Sequence, residues 1–121
     1  MPYDIQAADS IRFVLSERHD VVERKMMGGL VFMVGGHMCV VVSGRGGLLV
    51  RVGADVQARV LKELHVKPMT MAGRPMTGFV RVASEGYRTA AALRKWVKRG
   101  LDHVETLPAK PAKRRPARAG R

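Results

Sequence analysis

Between Val21 and Gly53 short apolar runs alternate with glycine-rich turns, and this alternation restricts the chain more than any other feature. Val21 to Met27 is the first run and ends at Gly28-Gly29. Leu30 to Val34 and His37 to Ser43 follow, divided by Gly35-Gly36. A glycine pair suits the positive backbone angles of a tight hairpin. Gly44-Arg45-Gly46-Gly47 makes the next turn, and Leu48 to Val52 is the fourth run. Runs this short, joined by turns this tight, predict antiparallel strands. Val, Phe and Met fill both alternating positions of the second and third runs, so both faces of the sheet are expected to be covered, by helices or by a partner chain.

Helical periodicity flanks the strands. Ile11, Val14, Leu15 and Arg18 place a first helix over Asp4 to Arg18, with Asp4 as its N-cap. Ala54 to Leu64 predicts a second, with Val56, Val60, Leu61 and Leu64 inward. Val66 to Gly78, rich in Pro, Gly and Met, reads as irregular, Phe79 to Ala83 as a fifth strand and Ser84 to Tyr87 as a turn. Thr89 caps the last helix, in which Leu93, Trp96, Val97, Leu101, Val104 and Leu107 recur at three- and four-residue steps. The expected fold is α+β: an antiparallel sheet of about five strands packed with three helices.

That domain should span residues 1–107 and leave 108–121 as a tail. Pro108 stops the helix, and beyond it only Ala, Pro, Gly, Lys and Arg occur. The tail holds Lys110, Lys113, Arg114, Arg115, Arg118 and Arg121 and no acid, half of the net charge of +12. It has almost nothing to bury and is expected to stay disordered. A single cysteine, Cys39, excludes an internal disulfide and points to a reducing compartment. The N-terminus lacks a signal-peptide pattern, and the apolar run Met38 to Val42 is far too short to cross a bilayer. A cytoplasmic protein with no membrane partner is expected.

Catalytic patterns do not emerge. None of the glycine runs leads into a phosphate-binding helix. His19, His37, His65 and His103 have no metal-ligand spacing and read as surface or turn residues. Cys39, in an apolar strand, reads as an inert core thiol. No Ser/His/Asp arrangement or carboxylate pair stands out. The expectation is a non-enzyme without metal or cofactor.

Two features suit binding. In Gly73 to Gly78, Pro75 fixes its own backbone angle and biases Arg74 towards an extended form. Arg74 then either meets an anion or partner carboxylate or holds its own loop in place. Met69, Met71 and Met76 form either a pliable contact surface or packing against the sheet. Arg74 and Met76 are thus the candidate partner-binding residues. Basic residues supply the second feature. Arg94, Lys95, Lys98 and Arg99 lie opposite the apolar stripe of the last helix, and the six tail cations follow. Such a set neutralises phosphates by releasing counterions and has no base-reading geometry.

A wider pattern joins these fragments: Lys25-Met26-x-Gly28-Gly29, Phe32-Met33-x-x-Gly36-x-Met38-Cys39, Leu49-Val50-Arg51-Val52-Gly53, Pro68-Met69, Gly73-Arg74-Pro75-Met76-x-Gly78-Phe79-Val80 and Trp96-Val97. In this order and spacing they resemble the N-terminal domain of the TfoX/Sxy family over most of residues 4–107. Met27 stands where family members often carry an aromatic residue. The resemblance implies a fold similar to secretion-chaperone-like α+β domains, often dimeric, and a non-enzymatic regulatory role. Longer members carry a second, C-terminal domain; in its place this sequence has the basic tail. The expected function is a regulatory or adaptor domain whose tail binds nucleic acid weakly. The alternative is a protein-interaction or chaperone-like dimer in which the tail is a solubiliser.

Overall fold

The computed structural model describes residues 3–26 and 28–108. Met27 and the six tail cations lie outside the described residues. The element order is α1 (Ile5–Val14), β1 (Val21–Met26), β2 (Gly29–Val34), β3 (His37–Val42), β4 (Leu48–Arg51), α2 (Ala54–Val60), β5 (Val66–Met71), β6 (Arg74–Val82), a 3-10 turn (Ser84–Tyr87) and α3 (Ala90–Val104). The strands form one antiparallel sheet in the order β1-β2-β3-β4-β6-β5. Gly35 and Gly36, at φ 60° and 84°, make the tight hairpin their sequence predicts.

The sheet has six strands rather than about five, because Val66 to Gly78 is not irregular. It forms β5 and the first half of β6, joined by Ala72-Gly73 at φ 54° and 79°. Pro68 is tolerated because β5 is an edge strand. The second helix also stops early, at Val60, which leaves Leu64 79% exposed instead of inward.

Helices cover one face of the sheet. Ile11 of α1 and Leu93, Trp96 and Val97 of α3 meet Phe32, Val40, Val42, Val50 and Val80 in the main core. Side chains of the predicted caps start both helices: Asp4 Oδ1 accepts from the Ala7 N–H and Thr89 Oγ1 from the Ala92 N–H, each at 3.0 Å. Trp96 donates its indole N–H to the Gly86 carbonyl at 3.1 Å, which ties α3 to the 3-10 turn. Phe32 pairs with Val40 but Met33 with Met38, so Cys39 is an extra residue in β3. It points at α3, where Gly100 makes room: a Cβ there would lie 2.9 Å from the Cys39 sulfur.

A larger irregularity bends β6. Pro68 pairs with Val80 and Thr70 with Pro75, so β6 spends five residues where β5 spends two. Gly78, at φ 86°, sits in this bulge. Its carbonyl accepts from the Val52 and Gly53 N–H groups at 2.8 and 3.0 Å. Gln57 of α2 holds the rest, with Oε1 accepting from the Gly78 N–H at 2.9 Å and Nε2 donating to the Phe79 and Met76 carbonyls at 3.0 and 3.2 Å. Beyond the bulge β6 pairs only with β5, and this hairpin end lies over the sheet face opposite the helices.

Candidate interaction surfaces

The register lines up one row of that second face across all six strands. Arg24 opposes Val31, Val31 opposes Val41, Val41 opposes Leu49, Leu49 opposes Arg81, and Arg81 opposes Lys67. Directly paired residues share a face, so the row is apolar in the middle and cationic at both ends. A neighbouring pair adds Arg51 beside Phe79, with the guanidinium 5.6 Å from the ring centroid. Val31, Val41, Leu49, Met69 and Phe79 form a second buried cluster here, with Met33, Met38 and Met76 half-buried over it.

The hairpin end of β5 and β6 makes a cleft of about 380 Å³ against this face. Val41, Leu49, Met69 and Met71 supply its apolar walls, and Arg45 and Arg81 stand among its polar ones. Arg81 is held in place, donating to the Gly46 carbonyl at 2.7 Å and to Ser43 Oγ at 3.3 Å. Of the residues proposed from sequence, Met69, Met71 and Met76 belong to this face, Met69 buried in it and Met76 half-buried over it. Arg74 is exposed, but it opens β6 opposite Met71 instead of sitting in a loop. The sequence reading missed the Val31, Val41 and Leu49 centre of the face and the cations around it. Its signal was present: no acid occurs between Glu23 and Asp55, or between Glu63 and Glu85.

The helix cations are divided in their engagements. Arg99 makes a two-pronged contact with Glu63 at 2.8 and 3.0 Å and lies 4.6 Å from the Trp96 ring centroid. Lys98 reaches Asp102 at 3.2 Å, and Lys95 lies 5.4 Å from the same ring centroid. Arg94 is exposed.

His37, expected at the surface or in a turn, opens β3 and is buried. It is 7% exposed, and its Nε2 donates to the Pro108 carbonyl at 2.6 Å. Burial pushes the Cys39 thiol up to about 12, so it carries almost no thiolate at neutral pH. His103 is half-buried at α3, and burial lowers its pKa. No group of three or more metal-ligating side chains occurs among the described residues. Nor is any helix among them long and apolar enough to cross a membrane.

No curated protein matches the chain. The family model for the TfoX N-terminal domain matches residues 14–104, from the end of α1 to the end of α3. That span includes the glycine turns, the Gly78 bulge and Trp96, and the chain accordingly belongs to the TfoX N-terminal domain family.

Proposed function

We propose that the protein is a non-enzymatic regulatory or adaptor domain of the cytoplasm whose basic tail gives weak, sequence-independent binding to nucleic acid. One observation carries the reading: half of a net charge of +12 is concentrated in residues 108–121 without a single acid. Arg94 and Lys95 on α3 make no ion pair among the described residues and add to the positive charge; Lys98 and Arg99 are partly neutralised by their carboxylates.

Fluorescence anisotropy with a random-sequence DNA duplex tests this, comparing the full chain with one ending at Pro108, which keeps the His37 contact. Full engagement of six tail cations gives a log-log salt slope of at most about −5. The full chain should show such salt dependence and the shortened chain should lose most of the affinity with its thermal midpoint unchanged. Equal affinity of the two chains would refute the reading.

The methionine-lined second face favours a different reading, a protein-interaction module in which the tail only solubilises. Its mark is the absence of DNA binding at physiological salt together with capture of a protein segment.

A further inference from the structure

The second sheet face has a chemistry unlike the rest of the molecule. All six methionines of the described residues project onto it: Met26, Met33, Met38, Met69, Met71 and Met76. Unbranched thioethers repack around varied apolar partners at little cost. Of the ten acids in the chain, only Glu23 lies in a strand, and it turns to the helix side, where Arg12 grips it at 2.7 and 2.8 Å. The face therefore offers Arg24, Arg51, Arg81 and Lys67 around a pliable apolar centre, with no carboxylate of its own.

We infer that this face docks an extended, acidic and amphipathic segment of a partner protein. Carboxylates would meet Arg24 at one end of the row and Arg81 and Lys67 at the other, while bulky apolar side chains pack on the methionines and enter the cleft beside Met69. Arg24 and Arg81, the cations that bracket the apolar middle of the row, are four strand spacings apart, roughly 19 Å. About six residues of extended chain cover that distance. A cleft of about 380 Å³ suits one or two side chains and not a helix about 10 Å across.

Charge argues against the other occupants. A second copy docking through the same face would be self-complementary about a two-fold axis. It would bring arginines towards arginines or bury them on methionines. Single-stranded nucleic acid needs aromatic platforms. Phe79 is the one aromatic side chain on this face; it is 7% exposed and already lies beneath Arg51.

This names the partner class for the adaptor half of the proposed function and rests on that half alone. The test uses the full chain and two labelled nine-residue peptides. One has two glutamates at each end and leucine, phenylalanine and leucine alternating with serine between them. Its twin carries serine throughout the middle and has the same charge, so the tail attracts both alike. The apolar peptide should bind about tenfold tighter than its twin, the worth of a few buried methylene groups. The double reversal Arg24→Glu with Lys67→Glu, at two exposed positions, should cost it about tenfold through two lost ion pairs, while duplex DNA affinity stays nearly unchanged. If that variant does not fold, Met26→Ser with Met71→Ser should erase the difference between the two peptides.

Equal binding of the two peptides overturns the inference, as does indifference of the apolar peptide to the substitutions. DNA affinity falling in parallel would make the face a general polyanion surface and overturn it too. A dimer in sedimentation that the reversal dissociates would assign the face to a second copy, with the same consequence.

Discussion

Gln57 does more for the fold than its position suggests. On a short helix between Val56 and exposed Ala58 it reads as an ordinary polar residue, yet it satisfies three backbone groups that the β6 bulge leaves without ladder partners. Periodicity gives no hint of this, because the need is created by a strand some twenty residues later. Leaving such groups unpaired costs about 1–3 kcal/mol in all when water can reach some of them. Gln57→Leu should therefore cost about 2 kcal/mol of stability, read as a lower urea midpoint with little change in slope; a neutral result would mean that water replaces the amide fully. The buried thiol of Cys39 and the capping side chains of Asp4 and Thr89, by contrast, were legible from residue type and context alone.

At the scale of elements, strands marked by glycine turns were legible and the hairpin of β5 and β6 was not. Two features hid it. Prolines stand at positions 68 and 75, and proline argues against a strand unless the strand lies at an edge. Its turn, Ala72-Gly73, has both residues at positive φ, where sequence reasoning expects Asn-Gly or Asp-Gly. Alanine in that region carries steric strain of roughly 1 kcal/mol. Ala72→Asn should relieve part of it and raise stability by about 0.5–1 kcal/mol, read as a higher thermal midpoint. A lower midpoint would contradict the turn geometry. The face that this hairpin covers stayed hidden for the same reason, since its register follows only once β5 is known to be a strand.

For the whole molecule, ion pairs join elements that the core alone does not lock together. Arg12 joins α1 to Glu23 of β1, Arg18 spans Asp20 and Glu105, and Arg99 joins α3 to Glu63 beyond α2. Hydrogen bonds from these guanidinium groups hold Glu23, Asp20 and Glu63 below the usual carboxylate range. A carboxylate whose pKa is lower in the folded state stabilises above its unfolded value and loses that contribution as pH falls through the folded one. Stability should thus hold down to about pH 4 and decline below it. Each group contributes under about 1 kcal/mol because a third or more of its side chain meets solvent. Thermal melts at stepped pH would check this, and Glu63→Gln should flatten the acid limb slightly; a midpoint unmoved down to pH 2.5 would count against all three pairs.

The packing of α1 against α3 has a kinetic consequence. The first and last helices close the same core, so the loop that joins them is almost the whole domain, and its closure entropy must be met before Trp96 finds its place. Strand pairing by local hairpins can proceed early, but the helix layer completes only when the most distant segments meet. Folding should accordingly be limited by that last long-range docking, and a chain lacking either helix should be left with part of the sheet's apolar side uncovered.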